Sequence, residues 1–246
     1  MPLGSHTLPV LMILFIGTCI RSTFGFGEAL FAMPLLVLIV GVKTAAPLMA
    51  LIASVIALTI LIPNRHKVDL KSTWRLIVST LAGIPLGLYI LKGAPESVMR
   101  GILAGVLILF SLYRLFHPKL IVLKREKWAY VFGFVAGILG GSLNTNGPPA
   151  VIYGTLKRWS PESFRVTLQG YFFPTGLLIV AGHGTAGFWT SSVLRMFLLA
   201  LPVVFLAIFI GGRLHKLIPA EKFDRIIYAF LLIMGIGICL QLLGMF

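Results

Sequence analysis

Apolar residues along this chain fall in long unbroken stretches, and short gaps between them carry nearly all of the charge. Stretches 8–20, 45–62 and 226–243 are almost free of ionisable side chains. Runs such as Leu35-Leu36-Val37-Leu38-Ile39-Val40 do not alternate with polar residues, as the strands of a membrane barrel would. A helix crossing a bilayer needs about 20 mainly apolar residues. The breaks between runs predict ten helical segments, at roughly 8–24, 28–42, 44–62, 70–91, 97–116, 128–143, 147–156, 162–181, 190–211 and 223–243. The expected fold class is an all-α polytopic membrane protein.

The spacing of breaks suggests a duplication. Gly25 to Pro34 is nine residues, as is Gly140 to Pro149, and Gly87 to Pro95 is eight, as is Gly211 to Pro219. Ser72-Thr-Trp-Arg75 resembles Ser192-Val-Leu-Arg195. The expected organisation is a first repeat over 1–117, a basic linker over 118–127 and a second repeat over 128–246, with five segments in each repeat. An odd number of segments per repeat inverts the second half in the membrane. With the Arg65/Lys67 gap in the cytoplasm, Lys119, Lys124, Arg125 and Lys127 fall inside. So do Lys157 and Arg158, then Arg213, Lys216 and Lys222. Lys43, Lys92 and the nearly uncharged gap 182–188 fall outside, in keeping with the positive-inside bias. Both termini are then external and the linker is cytoplasmic. Inverted repeats with interrupted helices are a signature of secondary transporters, whose site lies where the breaks meet.

Two breaks stand out: Arg21-Ser-Thr-Phe-Gly25-Phe-Gly27-Glu28, and Gly140-Gly-Ser142-Leu-Asn144-Thr145-Asn146-Gly147-Pro-Pro149. The segments flanking them are short for the ~30 Å apolar core, so each pair is expected to form a hairpin with a submerged tip. Irregular backbone survives at that depth only where protein or a water-filled cavity satisfies it. Gly25, Gly27 and Gly147 allow close approach, and the second helix of each hairpin begins there with its positive end. Ser142, Asn144, Thr145 and Asn146 add neutral donors for an anion. Arg21 and Glu28 are ionisable groups at membrane depth, which are costly and usually functional. Arg21 is the candidate anion contact and Glu28 the candidate proton carrier. Gln169, one turn beyond Arg165 on the same face, is expected deep in its segment, whereas Arg165 is expected to snorkel. His183 is expected in a solvated loop.

Composition agrees. Of 246 residues, 58% are hydrophobic and 11% charged, against about a quarter charged in soluble domains. The net charge of +14 is spread over the gaps rather than gathered on one face, so it serves topology and not nucleic acid. Cys19 and Cys239 both sit in apolar runs, which excludes a disulfide framework and a cysteine zinc site. The end of the first run lacks an Ala-x-Ala-like cleavage site, so that run is read as retained. No nucleophile, metal or nucleotide motif appears, so no enzyme and no cofactor is expected.

At the two breaks the chain resembles the TauE/SafE family of sulfite exporters and organosulfonate permeases. The first motif reads Thr23-Phe-Gly25-Phe-Gly27 followed by Pro34. The second reads Gly140-Gly141-Ser-Leu-Asn144-Thr145-Asn146-Gly147-Pro148-Pro149-Ala-Val-Ile-Tyr153. The stretch Phe164-Arg165-Val-Thr-Leu-Gln169-Gly-Tyr171-Phe is also similar to a family segment. Asn144 and Asn146 depart from the usual glycines, and Glu28 from a glycine or apolar residue. The resemblance implies an inner-membrane permease or exporter of small sulfur-containing anions such as sulfite or organosulfonates, working by alternating access. The alternatives are a drug/metabolite-type transporter of another solute, or an intramembrane enzyme. The expected partners are a small anion, the bilayer, protons as coupling ion and a second copy of the chain.

Overall fold

Glycine and asparagine set the ends of the critical helices. Gly25 closes α1 with φ of 89°, and Asn144 closes α6 with φ of 52°, both in the left-handed region. Glycine enters that region without a Cβ penalty, and asparagine is among the few side chains that tolerate it. The computed structural model describes residues 6–116, 122–123, 125–159, 161–215 and 220–244. Among these are ten α-helices and no strand. In order they are α1 (Thr7–Phe24), α2 (Glu28–Val40), α3 (Val42–Leu61), α4 (Leu70–Gly93), α5 (Glu96–Phe116), α6 (Trp128–Leu143), α7 (Gly147–Leu156), α8 (Pro161–Thr185), α9 (Ser191–Leu214) and α10 (Ala220–Leu242). A 3-10 turn over Ile62–Lys67 follows α3. Lys119, Lys124 and Lys216, which helped to set the expected topology, lie outside the described residues, as do the side chains of Arg65, Lys67 and Lys222.

The ten expected segments correspond to these ten helices, and the all-α polytopic class holds. Helices α1, α4, α5 and α9, and α3 continued through Asn64, are long and apolar enough to cross a membrane. One expectation changes. At 18 residues α1 is about 27 Å long, so it reaches most of the way across rather than stopping short. The short members are α2 (13 residues, about 20 Å) and α7 (10 residues, about 15 Å).

Helices α1 and α2 pack on one another, as do α6 and α7. Beyond these hairpins, α6 is seated on α4, α1 on α9, α3 on α8 and α5 on α10. The α4–α6 contact is a glycine ladder: Gly83 and Gly87 face Gly137 and Gly141, and Gly133 above them meets Leu76 and Ser79. The glycines follow one another at intervals of four residues, so each set forms a single stripe. A Cβ at Gly137 would fall inside the backbone at Thr80, and one at Gly87 inside that at Ile138. Small residues that let backbones meet are the usual means of joining helices where lipid removes the hydrophobic drive. Ser79 and Thr80 add hydroxyl donors to the Ala129 and Gly133 carbonyls across the same contact.

Candidate functional site

Arg21 stands in the last turn of α1 and Glu28 in the first turn of α2, each at the helix end whose dipole favours its charge. The break between them folds back, and Arg21 Nη1 donates to Glu28 Oε2 at 2.8 Å with both side chains almost fully buried. Gln169 of α8 joins the pair. Its Oε1 accepts from Arg21 Nε at 3.3 Å and Nη2 at 3.0 Å, while its Nε2 donates to the Gly25 carbonyl at 2.6 Å. The Phe172 ring lies 4.8 Å from the guanidinium. Three of the five guanidinium N–H groups are thus engaged, which leaves two for a ligand. Glu28 Oε1 is buried and meets no hydrogen-bond partner among the described residues.

This pair borders a cavity of about 40 Å3, room for roughly three waters. Its wall joins both breaks: Arg21, Gly27 and Glu28 from the first, and Asn144, Thr145, Asn146 and Gly147 from the second. Helices α2 and α7 both begin at it, so two positive helix ends converge there. Pro148 and Pro149 follow at once in α7 and carry no N–H, so that end offers fewer backbone donors than its dipole suggests. Asn146 compensates with an amide, which also donates to Thr175 Oγ1 at 3.4 Å.

The structure separates the expected site residues into two groups. Arg21, Gly27, Glu28, Asn144, Thr145, Asn146 and Gly147 line the cavity. Gly25, Ser142 and Gln169 do not. Gly25 caps α1 and accepts Gln169; a Cβ there would lie 2.8 Å from Arg165 Cγ. Ser142 turns its hydroxyl back to the Ile138 carbonyl on the α4–α6 contact, because an α-helical serine reaches the carbonyl four residues before it. Gln169 acts on the site by holding Arg21.

Two further expectations are corrected. Arg165 does not snorkel: its Nη2 donates to the Ser22 carbonyl at 2.6 Å, and His215 Nδ1 donates to the Thr23 carbonyl at 2.7 Å. Both satisfy carbonyls that the end of α1 leaves without helical partners. His183 is no loop residue. Helix α8 runs on to Thr185, and His183 is fully buried with Nε2 donating to the Gly141 carbonyl at 2.9 Å. Ser22 and Gly141 each lie three residues before the left-handed cap of their helix. One helix, α8, therefore grips equivalent carbonyls of both breaks, at its two ends. Phe172 and Gly176 of α8 and Ala53 of α3 were missed as wall residues. They are apolar or small in apolar helices, and hydrophobic patterning does not distinguish them from lipid-facing neighbours, although Phe172 ends the family-like stretch 164–172.

Searches among individual curated proteins and among solved structures find no match. A family model described as "Sulfite exporter TauE/SafE" matches residues 10–238. That span contains all of the helices but the two ends of the bundle, both breaks and every wall residue of the cavity. The chain therefore belongs to the TauE/SafE family of multi-pass membrane transporters.

Proposed function

We propose that the chain is a secondary transporter of small sulfur-containing anions, sulfite or an organosulfonate, that carries its substrate at the Arg21–Glu28 cavity by alternating access. The observation that carries this reading is the buried Arg21–Glu28 pair, set where the positive ends of α2 and α7 converge. With Glu28 ionised the pair is neutral, and a monoanion would add an uncompensated charge to a buried cavity, at high cost. With Glu28 protonated, Arg21 is left as a free cation. One proton then accompanies one anion, and the loaded site is neutral. Uptake is coupled to protons through Glu28 in this scheme. Export by an anion alone would gain about 2.3 kcal/mol per 100 mV, but only if the anion left without the Glu28 proton; the neutral loaded site instead follows the proton and anion gradients in either direction.

The repeat organisation belongs to the same proposal. Exchanging α1–α5 with α6–α10 turns the α1–α9 contact into α6–α4 and the α3–α9 contact into α8–α4. It leaves the α3–α8 and α5–α10 contacts as they are. This supports two inverted halves, 1–117 and 128–246 around the linker 118–127. The positive-inside distribution supports a cytoplasmic linker, external termini and residence in the inner membrane. A homodimer remains part of the proposal as its quaternary form.

The test is accumulation of labelled sulfite in proteoliposomes under an imposed pH gradient. Wild-type protein is expected to accumulate it, and Glu28→Gln to lose the gradient-driven component while still exchanging anion. Accumulation by Glu28→Gln equal to wild type removes Glu28 as the proton carrier. Absence of any anion flux in the wild type overturns the transport reading.

A further inference from the structure

A second and much larger cavity, about 480 Å3, opens at the end of the bundle where α1, α3 and α9 begin. Each of these helices leaves its first N–H groups without helical acceptors and brings a positive dipole end to the same place. The hydroxyl-bearing side chains Thr44, Thr190, Ser191 and Ser192 line the cavity, together with His6 and Arg195. Arg195 stands one turn into α9, is exposed, and makes no ion pair or hydrogen bond among the described residues. Among the described residues no acidic side chain contributes to the wall. Glu96 comes near Gly41 beside it, but its carboxylate is bound by Arg100 at 2.8 Å. The remaining wall is Thr7 and the apolar Val40, Leu48 and Met196.

The cavity sits in line with the Arg21 site. Leu48 of its wall precedes Ala53 of the central cavity by five residues on α3, a rise of about 7.5 Å. Val40 and Leu30 stand in the same relation on α2, about 15 Å apart. Between the two levels lie the fully buried Met33, Leu36 and Met49. The two cavities thus share two helices and are separated by an apolar plug.

We propose that the larger cavity is a second anion site, one that takes a small anion with a short aliphatic tail. The anionic head is held by Arg195 and the hydroxyls at the α9 and α3 starts, and the tail lies on Val40, Leu48 and Met196. The central cavity, with room for a few waters, accepts only a head group in this conformation; the outer one has space for the whole amphiphile. Its place on the pathway, as the vestibule on the far side of the plug, rests on the transport reading above, whereas binding there does not.

The experiment is calorimetric titration of the purified full chain in neutral detergent with propane-1-sulfonate. Arg195→Gln is expected to weaken binding at least tenfold, as loss of a charged donor to an anion does, and Thr44→Val to weaken it severalfold. Wild-type affinity is expected to fall as salt rises from about 50 to 300 mM. Asn146→Ala, in the central cavity, reports on the other site: binding that survives it but falls in Arg195→Gln places propanesulfonate in the outer cavity. If Arg195→Gln binds like wild type, the inference is wrong; if Asn146→Ala alone abolishes binding, propanesulfonate occupies the central cavity and the transport reading survives without this one. Binding that depends on Arg195 in a protein that moves no anion upholds the site and removes the transport reading. A last arm uses nanodiscs. Loss of binding in phosphatidylglycerol but not in phosphatidylcholine would give the cavity to a lipid phosphate and overturn the vestibule.

Discussion

The two hairpins meet at one cavity but are held in different proportions by side chains and backbone. The first, α1–α2, carries the charge of the site, and side chains from elsewhere hold its tip. Arg165 takes the Ser22 carbonyl, His215 the Thr23 carbonyl and Gln169 the Gly25 carbonyl. The second, α6–α7, brings neutral amides and is held chiefly by backbone, through the glycine ladder against α4, with His183 clamping its Gly141 carbonyl. Side-chain clamps can be exchanged for water or substrate one at a time, while interlocked backbones separate only together. In the proposed alternating-access cycle the first hairpin is therefore expected to be the adjustable partner and the second the fixed wall.

The sharpest way to break this comparison is at the ion pair. Removing one partner of a buried pair strands the other, at about 3–5 kcal/mol. Glu28→Ala is expected to lose stability of that order in thermal unfolding. The double variant Arg21→Met, Glu28→Met is expected to recover most of it while binding no sulfite. If both variants unfold alike, the pair is not held in the buried surroundings that the geometry gives it.

Next comes the glycine ladder. Gly137→Val forces α6 away from α4, an overpacking cost on the order of 3 kcal/mol. Thermal unfolding and the yield of monodisperse protein measure it. With the second hairpin as the fixed wall, this variant is expected to lose folding and binding together. A well-folded Gly137→Val protein would show that the ladder is dispensable.

Gln169→Leu removes bonds to both Arg21 and Gly25. The expected loss is about 1–3 kcal/mol in stability, since buried donors are left unmet, with weaker sulfite binding in a titration. Gln169→Glu tests the same point with charge: it competes with Glu28 for Arg21 and is expected to shift the pH dependence of binding. The smallest effect is expected at Asn144. Its φ of 52° suits glycine, so Asn144→Gly should change stability by less than about 1 kcal/mol while weakening anion affinity. Equal affinity in Asn144→Gly and wild type would mean that Asn144 serves the cap alone.

Much of the fold was written in the chain's periodicity. Ten apolar runs became ten helices because lipid requires each crossing to satisfy its own backbone, which makes helix length and polarity legible one segment at a time. The breaks were legible for the same reason, since Gly25, Asn144 and the Pro148-Pro149 pair act on their own backbone. The charged members of the site could be named because an arginine and a glutamate at membrane depth are conspicuous. The roles of Arg165, His183 and His215 were hidden, since each serves a carbonyl more than 40 positions away. Nor could composition tell Ser142, spent on its own helix, from Asn146, which faces the cavity. Local sequence determines where a helix starts, ends and enters lipid; which orphan carbonyl meets which distant donor depends on how the helices cross, and only the tertiary structure decides that.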